Sequence, residues 1–432
     1  MSIVIKNGNV ITMDEKRNKK VEKLDIVISG NTIVEITENY SGYADKIIDA
    51  QGKIVMPGLV NCHTHLGMSI FRCTNDGYNL NDWLNKKIWP IEDKLSWKDI
   101  YYTTLLSCIE TIKSGTTTSA DHYFGTLESI NAIKECKIRE IFTNCVLDSD
   151  SRGQNRIDIF EKLYNENKEF SDLITFSIAP HSLYTCTADY LKKLRDIALK
   201  YNLPIHMHMS ENLNEVKTIT EKYGMKPAFV LKHLGLTDCK LVLAHCTYLD
   251  DDEIELLKNY DVSIVHNPIS NLNLGCGIAP IKKYIDNGLN VCLGTDGQGS
   301  AINLDMFYHM AFVDLLQKGL YKDPLALAPY DVLKLATING AKAFGLDNKI
   351  GSIEVNKKAD IIILDYDDIS VYPTVNLISQ VVHNTRNYHV NTTIINGEII
   401  MENRKLLLDI DENKLKKKID EIVKSVNLYE TI

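Results

Sequence analysis

Short apolar runs recur through the middle of the chain, at residues 54–60, 116–121, 138–146, 174–179, 204–208, 241–245, 262–266 and 291–294. Between most of them lie amphipathic stretches of helical length, such as WKDIYYTTLLSCIETIKSG, TADYLKKLRDIALKYN and LDDDEIELLKNYD. Apolar residues at helical spacing predict helices that pack one face on a sheet. Strands alternating with helices predict a parallel sheet, and eight such strands close as a TIM barrel. The ends of the chain read differently. SIVIKNGNVITM sets Asn7-Gly8 between two strand patterns, which predicts a hairpin, and NTTIINGEIIMENRK repeats the signal with Asn396-Gly397. Strands at opposite ends of a sequence complete one sheet only if the termini meet. The expected fold is therefore α/β: a (β/α)8 barrel over residues 57–354 with a small β-sandwich domain formed from 1–56 and 355–432. A charged helix near 411–427 would close the smaller domain.

The 432 residues are 44% hydrophobic and 24% charged, which is ordinary for a globular protein. A formal charge of -9 without a basic run argues against a nucleic-acid partner, since phosphate binding calls for clustered cations. The first twenty residues carry charge and turn formers where a signal peptide would need an apolar stretch. No apolar run approaches the roughly 18 residues of a membrane helix. The ten cysteines are scattered without Cys-x-x-Cys pairs, and Cys108, Cys145 and Cys292 sit inside apolar runs. They read as buried thiols in a reducing compartment, so a cytoplasmic location is expected. Assembly into a homo-oligomer stays open.

The ends of the apolar runs carry the residues with chemistry: His63, His65, His122, His181, His208, His245, His266 and Asp296. Catalytic groups of a TIM barrel collect at the C-terminal ends of different strands, so this recurrence fits the fold. In PGLVNCHTHLG, a strand period of two places His63 and His65 on one side, where two imidazoles can bind a metal. The bland alternative is a pair of core histidines satisfied by hydrogen bonds. IHMHMSEN repeats the spacing with His206 and His208; His208 lies nearer the strand's end, with Glu211 three residues on, and His206 reads as structural. Asp296 in CLGTDGQGS is a turn aspartate or, given the histidines, a fourth ligand. The fourth strand ends APHSLYT, without the lysine that could bridge two metals. One divalent ion per chain is expected, with zinc the default.

The segments WLNKKIWPIEDKL, APHSLYTC, HMSE, LAHCTYL, HNPISNLNLGCGIAPI and GTDGQGS, in that order, cover nearly the whole chain. Together they resemble the amidohydrolase superfamily, and within it the 5-methylthioadenosine/S-adenosylhomocysteine deaminases. The resemblance implies His63, His65, His208 and Asp296 as metal ligands. It also implies that Glu92, His181 and Glu211 contact a nucleoside substrate, that His245 steadies the attacking hydroxide, and that Arg156 reaches the substituent on the ribose. Trp83 and Ser300 would line the pocket, and Glu92 is expected in the loop after the first barrel strand. Asp296 would take a proton from water, and Glu211 would protonate ring N1 and then the departing ammonia, a division of labour also used by the nucleobase deaminases. Asn144 departs from the pattern, because the family often has a second arginine there. The expected reaction is hydrolytic deamination of 5′-substituted adenosines.

Two alternatives stand beside it. Related barrels act on guanine, cytosine or triazine rings, for which a ribose grip by Glu92 and a tail contact by Arg156 would make no sense. A non-catalytic scaffold should have lost ligands, and all four are present.

Overall fold

A computed structural model of the chain describes residues 1–17, 20–75, 77–149, 153–167 and 172–428. Eight strand positions ring the barrel: Leu59–Thr64, Thr116–Asp121, Arg139–Phe142 continued by Cys145–Val146, Ile174–Phe176 continued by Ala179–Pro180, Ile205–Met209, Leu241–His245, Val262–His266 and Asn290–Leu293. Their pairings are parallel, and an Ile178–Ile205 bridge joins the fourth to the fifth. The ring closes where the Asp296 backbone N–H donates to His63 O at 2.9 Å. Asn61 and Thr295 reinforce that seam with two hydrogen bonds of 2.8 and 3.0 Å. In the fifth strand, Ile205, Met207 and Met209 belong to the large core beneath the helices. Alternation then leaves His206 and His208 for the interior.

The remaining strands make a nine-stranded sheet among the described residues, to which both ends of the chain contribute. The ends meet where Ile54–Pro57 pairs antiparallel with Ile361–Leu364. The sheet curls over its own core of Ile3, Ile5, Ile26, Ile28, Ile361 and Ile363, the smaller β domain of the expected fold. A buried Arg139–Asp360 pair, bonded at 2.6 and 3.0 Å, ties it to the third barrel strand. The charged helix expected near 411–427 spans Glu412–Ser425 and packs on helix Trp97–Lys113. Among the described residues no helix is long and apolar enough to cross a membrane.

Four local expectations need correction. Asn7-Gly8 is not a hairpin turn but a bulge inside strand Ser2–Val10, where the pairing with Glu22–Ser29 slips between Ile5 and Gly8. Asn7 takes φ +63° with its N–H on Asp25 Oδ1 at 2.8 Å. The same dipeptide does turn at Asn396-Gly397, where φ is +50° and +77° between two paired strands. The run 54–60 is two strands, not one. It breaks at Gly58, whose backbone lies so close to Thr117 that a Cβ would stand 2.1 Å from the hydroxyl oxygen. The runs 138–146 and 174–179 are likewise interrupted. Finally, Glu92 is not in a loop: residues 80–92 are helical, with one π turn at Leu84–Ile88 between helices Leu80–Trp83 and Trp89–Glu92.

Candidate active site

The strand ends bring six polar side chains to one end of the barrel. The ligand atoms of His63, His65 and His208 lie within 4.8 Å of one another, as do those of His63, His245 and Asp296. His65 Nε2 is 3.0 Å and His63 Nε2 is 3.6 Å from Asp296 Oδ1, so the two sets share one centre. The donors fit a divalent ion of zinc character: imidazole nitrogens and one carboxylate. His63 Nε2 is buried with no hydrogen-bond partner, a loss that coordination would remove.

His63, His208, Asp296 and His245 are each oriented from behind. His63 Nδ1 sits 2.9 Å from His206 Nε2, and His208 Nδ1 is 2.9 Å from His181 O, which leaves both Nε2 atoms for the centre. Asp296 has φ +73°, a backbone position that a non-glycine residue adopts only under constraint. Its carboxylate accepts hydrogen bonds from Ser270 Oγ at 2.6 Å, Ser300 Oγ at 3.0 Å and Gly297 N at 2.8 Å. Burial alone would raise the Asp296 pKa, but His63 and His65 hold it well below the usual range. His245, also at positive φ (+72°), is kept neutral by burial and has Nδ1 2.7 Å from Asn271 Oδ1.

Glu211 follows the fifth strand. Its Oε1 is 3.7 Å from His245 Nδ1 and 3.8 Å from the Cys276 thiol. Burial, helped by the negative charge of Asp296, pushes its carboxyl up to about 8. A carboxyl that stays protonated at neutral pH is suited to acid catalysis. Glu92 accepts a hydrogen bond from Tyr123 Oη at 2.7 Å and is pushed up to about 7 by burial. Trp83 is buried against Gly299, where a Cβ would meet the indole at 2.7 Å.

Other expected contacts lie further out. His181 packs beside His208, ring centroids 4.7 Å apart, with Nδ1 on Thr185 Oγ1 at 3.0 Å. The Ser300 hydroxyl bonds Asp296. Arg156 donates from Nη1 to Leu147 O at 2.6 Å and lies 5.9 Å from the centre of the Phe124 ring. Asn144 has both ends of its amide in use: Oδ1 accepts from Gly125 N at 3.2 Å and Nδ2 donates to Arg156 O at 3.2 Å. Sequence reasoning missed Ser270 and Asn271, although both lie in the segment HNPISNLNLGCG. Short polar residues directly after a barrel strand were the available signal.

Comparison with known proteins agrees with this geometry. The 5-methylthioadenosine/S-adenosylhomocysteine deaminase of Thermoanaerobacter pseudethanolicus is 44% identical over 94% of this chain and 95% of its own length. The 5′-deoxyadenosine deaminase of Methanococcoides burtonii is 40% identical over 94% and 93%. A zinc-bound adenosine deaminase structure from Xanthomonas campestris superposes with a TM-score of 0.94 over 98% of both chains, at 28% identity. The model of the amidohydrolase family matches residues 54–400, from the strand that joins the two ends of the chain, across the whole barrel, to strand Glu398–Glu402. A barrel with its histidines and aspartate at the strand ends, matched along that length, makes this chain a member of the amidohydrolase family.

Proposed function

We propose that the protein is a metal-dependent aminohydrolase that deaminates 5′-substituted adenosines such as 5′-methylthioadenosine, 5′-deoxyadenosine and S-adenosylhomocysteine. The observation that carries the reading is Glu211: a buried carboxyl, held up at about 8, beside His245 and the histidine–aspartate cluster. An acid next to a metal centre is what removal of an aromatic amine needs. The relatives named above act on such nucleosides, which supports the substrate class.

His63, His65, His208 and Asp296 would hold the ion, one per chain and zinc by preference. Bound there, a divalent ion lowers the pKa of a water from ~15.7 to about 7 and so supplies a nucleophile at neutral pH. Asp296 takes one proton of the attacking water. With His245 Nδ1–H donated to Asn271, Nε2 carries the lone pair that accepts the water's second hydrogen and orients the oxygen toward C6. Glu211 gives its proton to ring N1 as C6 becomes tetrahedral. Glu211, now a carboxylate, takes the proton of the C6 hydroxyl and hands it to the amine, which leaves as ammonia while C6 keeps the oxygen as a carbonyl. The proton held by Asp296 then restores Glu211. Glu92 grips the ribose hydroxyls, His181 bonds the purine or sugar, and Trp83 and Ser300 border the pocket. Arg156 stands toward the 5′ substituent.

Residues 1–56 with 355–432 form, in this reading, a β domain that carries the catalytic barrel of 57–354. Ten unpaired cysteines support a cytoplasmic site of action, and the charge of -9 supports a small molecule rather than nucleic acid as partner. The test is a panel assay for ammonia release with metal content measured on the same sample. Activity on 5′-substituted adenosines with about one ion per chain is expected. Activity confined to guanine, cytosine or a triazine would replace the substrate class, and two tightly held ions would replace the mononuclear centre.

A further inference from the structure

Glu215 is a buried carboxylate that the reaction as described does not use. It is 4% exposed, lies in the first turn of helix Leu213–Tyr223, and has no cation on it in any ion pair among the described residues. Its two oxygens accept hydrogen bonds from two consecutive backbone amides: Ser210 N to Oε1 at 2.9 Å and Glu211 N to Oε2 at 2.8 Å. Glu215 is itself held, since its own N–H donates to the Asn212 side chain at 2.9 Å. The turn it clamps is a strained one, with Ser210 at φ +48°. Burying a carboxylate on two amides is costly, and a polar group placed so is retained when it fixes geometry.

What that geometry fixes is Glu211. The Glu211 carboxylate is touched only lightly, at 3.7 Å by His245 and 3.8 Å by Cys276. Its aim is therefore set from the backbone rather than from its tip. Resting on the acid role of Glu211 given above, we propose that Glu215 is a positioning residue. By clamping the Ser210 and Glu211 amides it holds the strained turn that points the Glu211 carboxylate into the site. A proton donor misplaced by about 1 Å can lose on the order of 10²-fold in rate, so the clamp bears on turnover rather than on substrate affinity.

The test is a double-mutant cycle on the metal-loaded enzyme, with E215Q, E211Q and E215Q/E211Q compared by kcat, KM and metal content. A glutamine offers one acceptor oxygen to two amide donors, so E215Q should lower kcat about 10- to 100-fold. KM should stay within about threefold and metal content unchanged, because the ligands are not on this turn. If Glu215 acts through Glu211, the double variant should be no slower than E211Q within about twofold. Multiplicative losses, or an E215Q enzyme with wild-type kcat, would overturn the proposal. So would a parallel loss of metal and activity, which marks a scaffold residue. An E211Q enzyme of normal activity would instead remove the acid role, a separate failure. Should E215Q not fold, E215D keeps the charge while its shorter arm cannot span both amides, and the same split and non-additivity are expected of it.

Discussion

His206 Nε2 lies 2.9 Å from His63 Nδ1, which makes a second histidine, not a carboxylate or a carbonyl, the support of the first expected ligand. The sequence placed His206 one layer below the site with a structural role. The structure puts it in direct contact with a candidate ligand, and buries it fully. Its own Nδ1 has no hydrogen-bond partner, so its ring is held by packing and by His63.

Replacing it should therefore loosen the metal more than the fold. His206→Phe fills the same space but cannot accept from His63 Nδ1. Loss of such a supporting partner typically costs 10- to 100-fold in metal affinity, and about that increase in Kd is expected. A chelator titration with the released ion followed optically measures it. A Kd equal to that of the wild type would show that His63 needs no support from this ring.

Glu211→Gln should keep its metal and lose roughly 10²- to 10⁴-fold in rate, since an amide cannot carry the proton. The pH profile follows with a definite sign. Burial pushes the Glu211 carboxyl up to about 8, and in the proposed acid role the protonated form is the active one. The rate should hold below that value and fall about tenfold per unit above it. A rate that climbs steadily through pH 9 would exclude Glu211 as the acid.

Glu92→Ala should harm nucleosides far more than free adenine. Glu92 sits at the end of a short helix with Tyr123 Oη on one oxygen, which leaves the other for a ligand. On the wild type, adenosine should exceed 2′,3′-dideoxyadenosine in kcat/KM by roughly tenfold or more, the worth of a hydrogen bond to a charged group. Equal values for the two nucleosides would contradict the ribose grip.

Methylthioadenosine or 5′-deoxyadenosine should be preferred over S-adenosylhomocysteine, with adenosine accepted. A zwitterionic tail loses hydration in the pocket and needs a cation in exchange. At the position where a second arginine would stand, Asn144 brings no charge, and its amide is already bonded to Gly125 N and Arg156 O. Arg156 spends one arm on Leu147 O. A missing cation costs about ten- to a hundredfold in kcat/KM. A steady-state comparison decides, and a clear lead for S-adenosylhomocysteine would require another basic group, such as one from a neighbouring subunit.

The barrel was legible because its signal is periodic and local. Each apolar run ends in a polar residue or is followed by one within two positions, and several of the helices between them carry their own caps, as Ser96 with Asp99 does for helix Trp97–Lys113. Turn chemistry was less dependable. Asn396-Gly397 turns and Asn7-Gly8 bulges, because a left-handed asparagine suits both and only the partner strand distinguishes them. Glu92 was named without its helix, since a π turn within 80–92 disturbs the spacing that marks one.

The sequence by itself determined which polar residues reach the barrel's end: His63, His65, His208, His245 and Asp296 stand at or just past strand ends and Glu211 follows one, because alternation and strand length decide what reaches that end. Tertiary structure decided how those groups are aimed and tuned. Ser270 on Asp296, Asn271 on His245 and His206 on His63 are contacts between separate strands and the segments after them, fixed by closure of the barrel, while Ser300 on Asp296 and Glu215 on the Glu211 amide belong to the turns at the strand ends. Burial is also a property of the whole fold, and it is burial that lifts the Glu211 carboxyl to about 8, which no spacing of residues along a chain can specify.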